Sequence, residues 1–135
     1  MAANLNPIFP KAPLFGWGTL TAANAATDGT GAVTTLVTAG ADGARIDRLR
    51  LTPLGSNVAT VCRLFVNNGN TNATPANNTL LKELTLPLTT ASAVAALADV
   101  EIDLDLPLPA GYKLNATLGT AVAAGWAATL IGGSY

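Results

Sequence analysis

The chain has 135 residues, 50% of them apolar, with seven basic and eight acidic side chains, a net charge of -1, no His and a single Cys. Proton shuttles, thiolate nucleophiles and most transition-metal sites draw on His and Cys, so the composition argues against an enzyme and offers no catalytic residue, metal site or cofactor site. At 13.6 kDa the chain suits one domain around one core, and its scattered Lys and Arg leave no electrostatic footprint for nucleic acid or an anionic membrane.

Residues 1–17 read as an extended N-terminal arm, set apart from a single β-sandwich domain at 18–135. Pro7, Pro10 and Pro13 recur at a spacing of three, which removes backbone donors, fixes φ and favours a polyproline-like course over an interior strand. The same stretch carries Ile8, Phe9, Leu14, Phe15 and Trp17, three of the seven aromatics of the chain among them. Disordered tails are poor in such residues, because exposed apolar groups are costly and sticky. These five are therefore the candidate partner contacts, and the arm is expected to dock on its own sandwich edge, on a neighbouring subunit or on another protein. The N-terminus shows neither the basic region nor the apolar run of a secretory signal.

From there on, turn residues arrive about every ten positions, and the segments between them are rich in Thr, Val, Leu and Ile. Strands are predicted at 14–21, 32–38, 44–52, 59–67, 79–86, 99–106, 112–118 and 125–131. That is an all-β fold of about eight short antiparallel strands in a β-sandwich or jelly roll. Asp28-Gly29, Asp42-Gly43, Asn68-Gly69 and Ala110-Gly111 supply turn chemistry, and the Asn- and Thr-rich stretch 67–78 reads as a protruding loop.

Residues 61–66 are apolar on both parities apart from Arg63, the mark of a central strand covered on both faces, so Arg63 needs a carboxylate or carbonyl partner or a path to the rim. Residues 89–98, TTASAVAALA, have a composition a helix would accept, yet a loop running into strand fits better, because no helix-stop residue precedes Asp99. From Asp99 to Leu106 acids and aliphatics alternate, placing Asp99, Glu101, Asp103 and Asp105 on one face and four aliphatics on the other. The uncharged stretch 121–131 is far shorter than the about 20 residues of a bilayer span and reads as a core strand.

Few groups suggest chemistry. Same-face acids of one strand stand about 7 Å apart and do not converge on a cation, so the 99–105 ladder is expected to be solvated or paired with Arg45, Arg48 and Arg50 on a neighbouring strand. Ser56, Ser92 and Ser134 lack a base, phosphate-loop motifs are missing, and Cys62 reads as a small buried apolar residue. A carbohydrate platform would have to draw on Trp17, Trp126, Tyr112 or Tyr135.

The run Gly43-Ala44-Arg45-Ile46-Asp47-Arg48-Leu49, then Val61 to Val66, Leu80-Leu81-Lys82-Glu83-Leu84, Leu108 to Leu114 and Trp126 to Gly133 resembles the layout of small all-β capsid decoration, or cement, proteins of tailed bacteriophages. The likeness spans about residues 32 to 133 and leaves the arm outside. It implies a non-enzymatic virion protein, made in the host cytoplasm. Such a protein binds the major capsid protein on the outer capsid surface, often as a homotrimer at three-fold and quasi-three-fold points, and stabilises the shell. The alternative is a tail, baseplate or fibre-associated virion protein, or a receptor- or glycan-binding β-sandwich.

Overall fold

The computed structural model describes residues 9–135. Eight strands follow one another: β1 (Ala12–Leu20), β2 (Thr34–Thr38), β3 (Ala44–Pro53), β4 (Thr60–Asn67), β5 (Asn78–Leu86), β6 (Val100–Leu108), β7 (Lys113–Leu118) and β8 (Trp126–Ser134), with one 3-10 turn at Pro75–Asn77. They lie where β-branched and aliphatic residues alternate between turns, each starting within two residues of its predicted position. Among the described residues there is no α-helix; Thr89 forms an isolated bridge with Asn57, and residues 90–98 are loop and bend.

The strands form two four-stranded sheets, ordered β1-β8-β3-β6 and β2-β7-β4-β5, with every neighbouring pair antiparallel. Strands β1 and β8, β2 and β7, β3 and β6, and β4 and β5 are partners, so the chain is one long hairpin rolled up on itself, the strand order of a jelly roll. Only the β4–β5 connection stays within one sheet.

The division drawn after residue 17 falls inside β1. From Ala12 the chain pairs with β8, Ala12 opposite Ser134 through Leu20 opposite Trp126, and the Lys11 amide donates to the Ser134 carbonyl at 2.7 Å. Pro13 is tolerated there because β1 is an edge strand. The second half of the proline-bearing stretch thus closes a sheet of its own molecule.

Between the sheets lie Trp126, Leu130 and Ala128 from β8, Ile46, Leu49 and Leu51 from β3, and Cys62, Leu64, Leu114 and Leu118 from the facing sheet, all buried. Hydrophobic burial of this row is the main force holding the layers together. Strand β4 is covered on both faces as expected: Cys62 and Leu64 face the core, and Phe65, on the other parity, is equally buried. Arg63 finds both kinds of partner, donating from Nε to Glu83 Oε1 at 2.7 Å and from Nη1 to the Asn24 carbonyl at 3.4 Å.

That second contact shows how the outer face of the β4 sheet is covered. The β1–β2 connection, residues 21–33, lies across it as a flap. Asn72 Nδ2 donates to the carbonyls of Gly29 (3.1 Å) and Gly31 (2.8 Å), and Asn78 Nδ2 to that of Asp28 (3.1 Å). The Asn-rich 67–78 loop is exposed along most of its length, but these bonds tie it down to the flap.

Candidate interaction face

The outer face of the β1-β8-β3-β6 sheet divides into a charged half and an apolar half. On the charged half the expected pairing of arginines and acids is realised. Arg45 bridges Asp105 (2.9 Å) and Asp47 (3.1 Å), Arg48 bridges Glu101 (2.9 Å) and Asp103 (3.2 Å), and Arg50 bridges Glu101 (2.8 Å) and Asp99 (3.3 Å). The register supplies the cause, since Arg50 lies opposite Glu101 and Arg48 opposite Asp103. Hydrogen bonds from Asp47 and then Asp105 hold the Arg45 guanidinium above its ordinary pKa, and the Glu101 hydrogen bond does the same for Arg50. These pairs stand in solvent, where screening leaves little net stability; they neutralise one another and fix which acid meets which arginine.

A bulge makes the last rung possible. The register shifts between Ile46 and Arg48 against both neighbours of β3, so Asp47 and Arg48 both reach the outer face. On β6, Asp105 has a φ of 46°, a left-handed conformation that Asp tolerates better than most residues. Its carboxylate is the one that meets Arg45 Nη2.

On the apolar half, Phe15 and Trp17 project outward from β1, 59% and 72% exposed, with ring centroids 6.1 Å apart and planes inclined by 56°. Phe15 lies opposite Ile131, itself 40% exposed, and Trp17 opposite Thr129. Two aromatic rings and an isoleucine thus form one apolar strip along the sheet edge. Isolated apolar side chains on a surface are ordinary, whereas neighbouring exposed rings make this strip the candidate contact surface.

Of the five arm residues, Phe15 and Trp17 share this strip, and Phe9 is exposed where the chain enters the sheet. Leu14 points the other way, half-buried against the core. Ile8 lies outside the described residues. Ile131 falls within the stretch that reads as a core strand, and the one sequence signal for its outward position is its parity, opposite to that of Trp126, Ala128 and Leu130. Trp126 is buried, which removes it from any sugar platform, and its Nε1 has no hydrogen-bond partner among the described residues. Cys62 is buried, and burial pushes its thiol up to about 12.

Among the described residues no group of three or more His, Cys, Asp or Glu side chains is arranged to hold a metal ion. No helix among them is long and apolar enough to cross a membrane. No known protein family, curated protein or solved structure matches this chain.

Proposed function

We propose that this protein is a non-enzymatic structural component of a tailed-phage virion. In this reading it binds the major capsid protein on the outer surface of the shell, as a trimer at three-fold and quasi-three-fold sites, and stabilises it. The exposed strip of Phe15, Trp17 and Ile131 carries the reading: a rigid, apolar contact surface on a sheet, beside an ion-pair ladder whose arginines are already satisfied by their own chain. Aromatic anchors of this kind dominate protein–protein contacts. Joined in a trimer, several modest contacts add up through avidity, so no single deep pocket is needed. The jelly-roll order supports the reading only by analogy, as an architecture of viral coat and lectin domains.

The test is co-sedimentation with purified, expanded, empty shells of the phage that encodes the chain. Wild type is expected to pellet with shells, and the double variant Phe15→Ala, Trp17→Ala to lose roughly tenfold or more in affinity. Equal occupancy by the variant, or a wild type that ignores shells, would overturn the proposal.

One observation favours a second reading. Trp17 is the most exposed ring of the strip, with Phe15 beside it, and a ring free on a sheet face is also a stacking surface for a sugar. A tail, baseplate or fibre-associated protein reading a host glycan would show saturable binding to host surface polysaccharide that Trp17→Ala abolishes, and no binding to shells.

A further inference from the structure

The four connections β1–β2, β3–β4, β5–β6 and β7–β8 start at the same end of the sandwich. Pro53 lies opposite Trp126, Thr60 opposite Leu86, Leu51 opposite Val100 and Cys62 opposite Leu118. Three of these connections, residues 54–59, 87–99 and 119–125, carry a single charged residue, Asp99 next to β6, which pairs with Arg50 at 3.3 Å. Solvated loops are ordinarily polar; this end presents Leu54, Val58, Leu88 and Val94, each more than half exposed. The β5–β6 connection is a long loop whose one regular element is an isolated bridge from Thr89 to Asn57, and a loop of this length in a compact domain usually has a task.

Two features of this end are complementary. Val94 stands 96% exposed on the outer part of the β5–β6 loop. At the base of the same loop a pocket of about 390 Å³ is lined by four apolar residues, Val58, Leu88, Ala121 and Ala123, and by four polar ones, Asn57 and Thr89 among them. The walls are held in shape by buried Asn57, whose Oδ1 accepts from the amides of Ala124 (3.0 Å) and Gly125 (2.8 Å) and whose Nδ2 donates to the Gly125 carbonyl (3.0 Å). Main-chain bonds between Asn57 and Thr89 run in both directions (2.9 and 3.1 Å), and Thr89 Oγ1 donates to the Gly55 carbonyl at 2.7 Å. One chain therefore carries an apolar knob and a preformed hole, apolar over half of its lining, at different places on one end.

We propose that this end is a self-association surface, in which Val94 of one copy enters the Val58–Leu88 pocket of the next to form a closed ring of copies. A second copy is the occupant because knob and hole are both present on every chain, and a contact between two different patches closes into a ring when the rotation permits. Charge supports the same occupant: copies meeting around an axis bring like surfaces together, and loops whose one acid is already paired with Arg50 of its own chain meet one another with little repulsion. The proposal rests on the self-association half of the reading above and assigns it to the loop end, leaving the aromatic strip free.

Sedimentation velocity of the full chain over a wide concentration range tests this. Wild type is expected to self-associate. Val94→Asp and Leu88→Asp change exposed side chains, so both should melt as wild type does, and each should weaken association by roughly tenfold or more. The double variant Val94→Asp, Leu88→Lys, which places opposite charges in knob and hole, should regain part of it. If wild type associates and either single variant associates equally well, the knob-and-hole contact is wrong while self-association stands. If wild type is monomeric throughout, both the contact and the self-association half of the reading fall, and the shell assay with the Phe15/Trp17 variant still tests the rest.

Discussion

Cys62 shows how far one side chain reports on the core. It lies on the second sheet and faces the first with no solvent exposure, and its thiol is neutral far above physiological pH. A thiol reagent at about pH 8, where a free thiol is partly ionised, should leave the native protein untouched and label it fully in guanidinium; rapid native labelling would contradict the burial. Folding raises this pKa, so its stability contribution is complete below the ordinary value of 9.0 and is lost as pH climbs toward about 12. The burial of Cys62 and the demand of Arg63 for partners were legible in the sequence, because both follow from a run apolar on two parities. The direction of Leu14 was not. In Leu14-Phe15-Gly16-Trp17-Gly18 bulk alone suggests that the rings face inward, whereas the inner side of β1 lies so close to β2 that glycine is what fits there.

At the scale of the elements, that closeness is a packing constraint with a measurable cost. A Cβ on Gly16 would overlap the main-chain carbonyl oxygen of Leu36 in β2, an atom that cannot swing away as a flexible side chain can. Gly16→Ala should cost about 3 kcal/mol, the upper end of what overpacking does, and lower the melting temperature by roughly 10 °C. Gly40→Ala, where a Cβ meets nothing within 4 Å, is the control and should melt within about 2 °C of wild type. Equal melting of the two variants would show that β1 and β2 can separate freely. The existence and limits of the strands were legible because turn residues punctuate the chain. The bulge at Asp47 also left a trace, since Ile46 and Leu49, both buried, are three apart rather than two, yet strict alternation conceals which residue is extra. Strand order rests on pairings such as β1 with β8, more than a hundred residues apart in the chain, and local pattern carries no record of them.

At the scale of the whole molecule, the flap over the second sheet joins loops that are distant in sequence. Its turn is organised by Asp28, which accepts from Thr30 Oγ1 at 2.6 Å and from the Thr30 amide at 3.1 Å. These bonds, the side-chain one first, hold the Asp28 carboxyl below its ordinary value of 3.8. A depressed carboxylate contributes above its unfolded pKa and ceases to as pH falls through the folded one. Hydrogen exchange at Thr30, corrected for intrinsic rate, should therefore accelerate below about pH 4, and Asp28→Ala should show the faster rate at neutral pH. An unchanged rate in both would mean that the Asn72 and Asn78 bonds hold the flap unaided.

The two indoles sit in opposite surroundings, Trp126 sealed in the core and Trp17 on the outer sheet face, and this gives the chain two optical channels. A soluble quencher reaches the red-shifted emission of Trp17 and spares the blue-shifted emission of Trp126. Attachment to another surface would shield the first and leave the second alone, while loss of the fold would change both. One spectrum can thus separate a molecule that has landed from one that has come apart.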